Sequence, residues 1–345
     1  MLSRPFLFYP VILFFVILLI DKIFLLPVFH GEFLQAGNSV FYHQRRVLAD
    51  RLVGDPKIKE TKLALVFGDS RSYPYSELGI PKEKQKDWSL YNFSGPQAIP
   101  MYSYFWLDEL LKRGVKPGFV ILSLSPEAFD DSKGLVNSPF LRLACDKECL
   151  DSVWKDVPWK DRYEHWLDQV FAIRAIEPNM GLFISRLKSG KLKEYKAFYN
   201  QEYQLINYTK GDYLMYATTA NPTEKLEKDA VRISAIYMRS FQMGKSQLPY
   251  VKAFLELTKQ NNIKTLVVWP KVYGKYFKEY EKYNIKNVWW SQISELTKSY
   301  GAIPYDMNEE SKCDLFNDAS HQSVFCFVDQ MKDIWERYAD PVVKK

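Results

Sequence analysis

The chain has 345 residues, of which 47% are hydrophobic, 16% aromatic and 26% charged, so it can bury a full core. The 15 glycines and 18 prolines exclude a fibrous or low-complexity protein. The 47 basic and 41 acidic residues give a net charge of +6. They are spread along the chain without the basic block that a nucleic-acid-binding arm requires, so nucleic acid is not an expected partner.

An apolar segment opens the chain. Residues 5–20 carry no charge and are mostly large and apolar, and after Asp21 and Lys22 a second apolar stretch covers residues 23–29. A helix over residues 6–29 would be about 36 Å long at the usual rise per residue. That length suffices to cross a hydrocarbon layer of about 30 Å. We therefore predict one N-terminal membrane-spanning helix.

The charges beside this segment predict its orientation. Arg4 and the amino terminus lie on its short side, and basic residues favour the cytoplasmic side of a membrane. The rest of the chain is then expected outside the cytoplasm, in the periplasm or the extracellular space. A cleaved secretory signal is the alternative, for which Leu34-Gln35-Ala36 is the best cleavage site. Both interpretations export the body of the protein.

The remaining elements start as an alternation of strands and helices. After a helix at residues 40–52, the apolar run at residues 63–67 predicts a strand buried on both faces, as in a parallel sheet. A strand at residues 90–93, a helix at 100–113 and a strand at 119–122 follow. This order predicts an α/β fold with a parallel sheet.

The alternation is interrupted between residues 127 and 246 by an insertion rich in tryptophan, tyrosine and lysine. Helices are expected there at residues 164–176 and 225–240, and the insertion is expected to form a cap. The α/β pattern then resumes. Its elements are a helix at 248–260, strands at 265–269 and 302–305, and an amphipathic helix at 324–338.

Gly68-Asp69-Ser70 follows the first predicted strand directly. A serine at the carboxyl end of a buried parallel strand projects into the crevice where α/β sheets bind ligands, and the next turn offers backbone N–H groups to an oxyanion. This tripeptide occurs by chance in about one chain in ten of this length, so an ordinary turn is the alternative. Its placement makes Ser70 the candidate nucleophile.

His321 is the candidate base, because the other three histidines lie near the predicted span, in the segment after it and in the insertion. Asp318, three residues earlier, can reach Nδ1 of the ring and leave Nε2 facing a serine. The alternative is that Asp318 or Ser320 only caps the following helix. Together with Ser70, the pair favours a Ser-His-Asp triad.

These residues resemble the sequence blocks of the SGNH/GDSL hydrolase superfamily. The matching blocks are Gly68-Asp69-Ser70, Gly95 after the second strand, and the Asp-x-x-His pair before the last helix, over residues 61–126 and 247–340. The resemblance implies a flavodoxin-like, three-layer α/β domain with esterase, lipase or O-acyltransferase activity and without a metal or other cofactor.

The resemblance also implies a role for each matching residue. Ser70 would be the nucleophile, His321 the base and Asp318 its partner, and the backbone N–H groups of Ser70 and Gly95 would bind the oxyanion.

The third block departs from the superfamily. Residues 123–127 read Ser-Leu-Ser-Pro-Glu where the superfamily has Gly-x-Asn-Asp. Either Ser123 or Ser125 replaces the oxyanion-binding asparagine, or the activity is weak, because the loss of one donor lowers the turnover rate about a hundredfold. This departure and the N-terminal anchor resemble the exported branch of the superfamily, which includes proteins of alginate O-acetylation and teichoic-acid D-alanylation. They also resemble DUF1574, a membrane-anchored bacterial family without an assigned function.

Two cations are expected at the crevice. Arg71, beside the nucleophile, and Lys271, after the fourth strand, are candidates for holding an anionic substrate group, with plain solvent exposure as the alternative.

The four cysteines suit an exported chain, because thiols pair in an oxidising compartment. We predict a disulfide between Cys313 and Cys326, which would tie the loop around His321 to the helix after it. Cys145 and Cys149 can pair only outside a regular helix, since Cβ atoms four residues apart are about 5–6 Å apart there and a disulfide needs ~3.5–4.5 Å. A zinc site is the alternative, but the spacings match no common zinc pattern, so no metal is expected.

The sequence as a whole predicts a membrane-anchored esterase or O-acyltransferase that acts on an acylated envelope glycan or lipid, with a membrane protein as the candidate acyl donor. The alternative is a catalytically silent SGNH-like scaffold that binds a glycan or a partner protein. The predicted domains are a signal anchor at residues 1–30, a juxtamembrane segment at 31–60 and a hydrolase-like domain at 61–340 with its insertion at about 127–246.

Overall fold

The structure is a computed structural model, in which the chain forms two compact units. It describes residues 6, 8–23, 38–131, 151, 153–176, 180–191 and 208–340. The first unit comprises Met1–His43 and Gly134–Gln204, and the second comprises Gln44–Lys133 and Leu205–Lys345.

A five-stranded parallel sheet forms the centre of the second unit. Its strands are β1 (Lys62–Phe67), β2 (Trp88–Asn92), β3 (Phe119–Ser123), β4 (Lys264–Trp269) and β5 (Ile303–Asp306). They lie in the order β2-β1-β3-β4-β5, which is the order of flavodoxin-like sheets. The predicted parallel α/β class is confirmed. The order reverses between β1 and β3, and the crevice at their carboxyl ends is where such sheets bind ligands.

The described helices match most of the predicted ones. In chain order they are α1 (Tyr9–Ile23), α2 (Asn38–Gly54), α3 (Pro100–Lys112), α4 (Trp159–Val170), α5 (Ala172–Ile176), α6 (Met180–Lys188), α7 (Thr223–Tyr237), α8 (Leu248–Gln260), α9 (Gly274–Lys282), α10 (Ser291–Ser299), α11 (Met307–Glu310) and α12 (Phe327–Ile334). Short 3-10 turns lie at Pro56–Lys59, Ser70–Ser72, Glu77–Gly79, Pro126–Phe129, Trp154–Asp156, Leu214–Ala217 and Val324–Cys326, and π-helical turns lie at Lys286–Trp290 and Trp335–Ala339.

The C-terminal helix packs on one face of the sheet, as its apolar spacing predicts. Phe327, Met331 and Ile334 are buried in the same core cluster as the inward residues of the strands. The ring of Trp335 meets the ring of Trp88 edge to face, with 5.6 Å between centroids. Burying each such side chain contributes about 1.5–3 kcal/mol, so α12 is part of the core that holds the sheet.

The second unit begins before the first strand. From Gln44 onward α2 belongs to it, and Leu48, Ala49 and Leu52 are buried. Arg45 is fully buried, and its Nε donates to the carbonyl oxygen of Ser94, 2.9 Å away. Part of the segment that the sequence assigns to the juxtamembrane region therefore packs into the domain core.

The first unit contains α1, which covers the middle of the predicted span. Within the described residues, no helix has both the length and the apolar character needed to cross a membrane. Residues 7 and 24–29 of the span, and the alternative cleavage site at 34–36, lie outside the described residues. The two charges that interrupt the apolar run are engaged. Asp21 accepts hydrogen bonds from the backbone N–H groups of Ala172 (2.6 Å) and Ile173 (2.9 Å), and Lys22 donates to the carbonyl of Val170.

Candidate active site

The turn after β1 positions the candidate nucleophile. Gly68 has a φ of +149°, which side-chain-bearing residues rarely adopt, and a Cβ there would lie 2.6 Å from Cβ of Ser123. The carboxylate of Asp69 then accepts a hydrogen bond from the N–H of Arg71 (2.9 Å) and starts the 3-10 turn. Ser70 is the first residue of that turn, so it lies at the carboxyl end of β1 as predicted.

The structure brings Ser70, His321 and Asp318 together. Ser70 Oγ lies 2.7 Å from Nε2 of His321, and Nδ1 of His321 lies 2.9 Å from each carboxylate oxygen of Asp318. The tautomer with its proton on Nδ1 satisfies both contacts, because Nδ1 donates to the carboxylate and Nε2 accepts the serine proton. This arrangement is able to activate a serine as a nucleophile.

Asp318 also shapes the loop that carries it. One of its oxygens accepts hydrogen bonds from the backbone N–H of Ser320 (2.8 Å) and that of His321 (2.9 Å), which fixes the loop. The alternative that Asp318 or Ser320 caps the following helix is wrong, because Ser323 caps the 3-10 turn that leads into that helix. Burial opposes the ionised form, but the electrostatic interaction with His321 and these hydrogen bonds outweigh it and hold the pKa of Asp318 below its ordinary value. The carboxylate therefore stays ionised beside the imidazole.

A disulfide closes the loop around the candidate base. Cys313 and Cys326 are bonded, with their Cα atoms 5.6 Å apart, and an isolated bridge joins Phe316 to Gln322 inside the ring. The loop with Asp318 and His321 is thus held at its base, as predicted. The second predicted pair, Cys145 with Cys149, lies outside the described residues.

The loop after β2 differs from the expectation. The N–H of Gly95 donates to the carbonyl oxygen of Gly68, 2.9 Å away, so it is engaged within the protein and does not present a free oxyanion donor. The same loop is fastened by Asn92, whose Nδ2 donates to the carbonyls of Ser72 (2.8 Å) and Tyr75 (2.9 Å). Asn92 thus positions the turn Ser70–Ser72, which carries the candidate nucleophile and is called the nucleophile turn below. Sequence reasoning assigned it no role, although it directly precedes the Phe-Ser-Gly of the second block.

The third block supports the nucleophile turn. Ser125 Oγ donates to a carboxylate oxygen of Asp69, 2.5 Å away, and Ser123 is buried against Gly68. Both serines are thus in contact with the turn itself, and the expectation that one of them replaces the missing asparagine is not supported.

Arg71 is engaged in contacts within the protein. Its guanidinium is buried, with Nη1 3.1 Å from Oε2 of Glu127 and Nη2 2.7 Å from Oε1. Its Nε donates to the carbonyl oxygen of Ser320, 3.1 Å away. These bonds engage all three nitrogens of a buried side chain, so the predicted contact with an anionic substrate group is not supported.

Glu127 receives further hydrogen bonds beside this ion pair. The hydroxyls of Tyr276 and Tyr280 donate to its Oε1 at 2.5 Å and 2.7 Å. Burial alone would raise the pKa of Glu127. The charge and hydrogen bonds of Arg71, together with the hydrogen bonds from the two tyrosines, outweigh burial and lower this pKa to about 2. A buried carboxylate thus stays charged behind the nucleophile turn.

Lys271 is engaged in a similar way. Its Nζ donates to the carbonyl oxygen of Ser311 (2.6 Å) and pairs with the carboxylate of Asp314 (2.6 Å). It therefore fixes the segment that leads into the disulfide loop, and the predicted contact with a substrate anion is not supported.

Tyr216 is a candidate site residue that sequence reasoning missed. It lies in the 3-10 turn Leu214–Ala217, inside the predicted insertion. Its ring meets the His321 ring edge to face, with centroids 5.1 Å apart, and its hydroxyl lies close to Ser70. Burial first, and the charge of Asp318 second, raise the pKa of Tyr216 to about 12. The phenol therefore keeps its proton at neutral pH and can donate it in a hydrogen bond.

The fold and the site together define a parallel α/β protein with a Ser-His-Asp arrangement at the carboxyl edge of its sheet. A family model described as a protein of unknown function, DUF1574, matches residues 1–338. Because the match covers nearly the whole chain, the chain belongs to this family, as the sequence resemblance suggested. No curated protein matches the chain.

Proposed function

We propose that the protein is a serine esterase or O-acyltransferase of the SGNH type, acting on an acylated envelope glycan or lipid. The observation that carries this proposal is the hydrogen-bonded series from Ser70 through His321 to Asp318, with contacts of 2.7 and 2.9 Å. The flavodoxin-like strand order and the chain order of the three residues support the SGNH assignment.

The chemistry follows from the contacts. Ser70 Oγ attacks the acyl carbonyl carbon while its proton passes to Nε2 of His321. The bond to the leaving alcohol then breaks, and the leaving oxygen takes that proton, so an acyl-serine and a free alcohol result. Water or a sugar hydroxyl gives its proton to His321 and attacks the acyl-serine. The proton returns to Ser70 Oγ, and the product is an acid or a new ester.

Two donors are assigned to the oxyanion. The backbone N–H of Ser70 starts the turn after β1, and the hydroxyl of Tyr216 lies beside Ser70 Oγ. The oxygen of the acyl carbonyl comes within bonding distance of these donors once Ser70 attacks. Tyr216 thereby replaces the two donors that the superfamily resemblance implies, the third-block asparagine and the backbone N–H at Gly95.

We also propose that the enzyme lies at the membrane, with the second unit outside the cytoplasm. The apolar segment at residues 5–20 and Arg4 before it support this orientation, and the disulfide between Cys313 and Cys326 is typical of an oxidising compartment. A phosphatase reporter fused after Lys345 should then be active and a cytoplasmic fluorescent reporter dark. The reverse pattern would contradict the location.

A serine-directed fluorophosphonate probe tests the activity. The wild-type protein should be labelled, and Ser70→Ala should abolish both labelling and short-chain ester hydrolysis while changing the free energy of unfolding by no more than about 1 kcal/mol. The internal hydrogen bond of Gly95 favours the second candidate, a catalytically silent scaffold that binds a glycan or partner protein. An unlabelled but folded wild type would support that candidate.

A further inference from the structure

The faces of α4 are the reverse of those expected for a helix in contact with water. Trp159, Tyr163 and Trp166 follow one another at four- and three-residue steps on one face, and they are 79%, 48% and 57% exposed. Asp161 and His165, on the other side, are only 6% and 7% exposed. Two polar side chains are thus buried while three aromatic ones are exposed on one face, so this face is suited to an environment other than bulk water.

The residue types indicate which environment that is. Tryptophan and tyrosine combine a large apolar ring with a polar group, and they are enriched where hydrocarbon meets lipid headgroups. The rings of Tyr163 and Trp166 stack, with centroids 6.2 Å apart, so they form a continuous aromatic surface on the helix.

The position of α4 next to α1 supports the same environment. The side chains of α1 are apolar and exposed over most of its length, which suits contact with lipid. This apolar surface ends at Asp21 and Lys22. Lys22 donates to the carbonyl of Val170 at the end of α4, and Asp21 accepts hydrogen bonds from the first two residues of α5. The aromatic helix therefore adjoins α1 at the polar end of its apolar surface, where a lysine reaches the headgroups.

A second helix of the same unit has a matching composition. On α6, Ile184 and Leu187 are exposed three residues apart, and Arg186, Lys188 and Lys191 lie among and after them. Exposed aliphatic side chains beside basic ones are typical of helices that lie on anionic membranes.

We infer that the aromatic face of α4 lies in the lipid–water interface of an anionic membrane, and that α6 adds electrostatic attraction to its headgroups. In this arrangement α4 and α6 lie along the surface of the bilayer and do not cross it. This inference concerns only the first unit, so it does not depend on the proposed chemistry at Ser70.

Tryptophan fluorescence provides a specific test. The chain has nine tryptophans, none of them in α1, and among them Trp159 and Trp166 are the two that are more than a third exposed. The full chain would be reconstituted in vesicles of phosphatidylcholine and phosphatidylglycerol whose acyl chains carry bromine near the headgroup. We expect these lipids to quench the emission. Trp159→Phe combined with Trp166→Phe should remove most of the quenching, whereas the matched control Trp290→Phe, at a buried ring of the second unit, should retain it.

Several results would overturn the inference. Emission that brominated lipids do not quench in the wild type would do so, as would quenching that survives in the double variant. A soluble oligosaccharide that shifts the emission of these two tryptophans, without any lipid quenching, would assign the face to glycan binding. A photo-crosslinker at position 166 that joins two copies of the chain, instead of labelling lipid, would assign it to self-association. Circular dichroism of the double variant checks that it has folded.

Discussion

Arg71 and Glu127 form a buried ion pair with two parallel hydrogen bonds, 3.1 and 2.7 Å long, beside the turn that carries Ser70. Arg71 also holds the carbonyl oxygen of Ser320, the residue before His321. One guanidinium therefore joins the loops after β1 and β3 to the loop of the candidate base. Its role is to position these loops.

This pair gives a prediction for stability. Glu127→Ala leaves a buried guanidinium without its carboxylate partner, and such losses cost about 3–5 kcal/mol. Urea denaturation should show this loss. The double variant Arg71→Met with Glu127→Leu, which removes both charges and keeps apolar volume, should be closer to the wild type than Glu127→Ala is. A loss of less than about 1 kcal/mol in Glu127→Ala would show that the pair is not buried as described.

The same pair should make stability depend on pH. The pKa of Glu127 is lowered from 4.5 to about 2 in the folded protein. Its contribution to the free energy of unfolding is then fully present above about pH 4.5 and is lost as the pH falls through about 2. The free energy of unfolding, measured by urea denaturation, should fall steadily as the pH is lowered from 5 to 2.5. Glu127→Gln, which does not titrate, should show a shallower decline over the same range.

The triad contacts predict unequal effects of two substitutions. His321→Ala removes the base and should lower kcat about a thousandfold or more in an ester hydrolysis assay. Asp318→Asn keeps a polar partner of similar shape near Nδ1, so it should retain more activity than His321→Ala. A fall of less than tenfold in His321→Ala would contradict the assignment of this residue as the base.

Tyr216→Phe should separate catalysis from binding. The phenylalanine keeps the ring contact with His321 and loses only the hydroxyl, so we expect kcat to fall about a hundredfold, as for the loss of one oxyanion donor. KM should stay within about threefold of the wild-type value, since the donor acts mainly on the transition state.

Tyr208→Phe is the matched control, because that ring is solvent-exposed, and it should leave both constants unchanged. Equal kcat values in Tyr216→Phe and the wild type would remove Tyr216 from the oxyanion site.

The disulfide should matter for activity before it matters for folding. Its two cysteines are separated by 13 positions in the sequence, and closing a loop of this size is worth about 3 kcal/mol in the chain-entropy model, a modest part of the stability of a large domain. Mild reduction should therefore lower ester hydrolysis through greater motion of His321 while circular dichroism stays unchanged. Cys313→Ser with Cys326→Ser should reproduce the effect. Full activity after complete reduction would contradict it.

The sheet could be predicted because its strands are short apolar runs. β1 and β4 are buried along almost their entire length, so their sequences carry the signal of a central parallel strand. The positions of Ser70 and His321 could be predicted because they depend on where strands and helices end.

The partners of side chains could not be predicted in the same way. Arg71 and Glu127 are 56 positions apart, and no local pattern shows that one guanidinium is neutralised by a carboxylate after another strand. Lys271 has its partners some 40 positions further along the chain. Tyr216 lies outside the helices predicted in the insertion, so its approach to Ser70 depends on tertiary packing alone.

The burial of Arg45 and its neighbours in α2 limits where this chain can be cut. A truncated protein that begins at residue 61 would lack Leu48, Ala49 and Leu52, which are buried in the second unit, and the cavity left by such side chains typically destabilises a domain by several kcal/mol. It would also lack the guanidinium that holds the carbonyl of Ser94 beside the nucleophile turn. An ester hydrolysis assay on such a fragment would test a damaged fold, so a shortened chain for solution studies should begin at Gln44 or earlier.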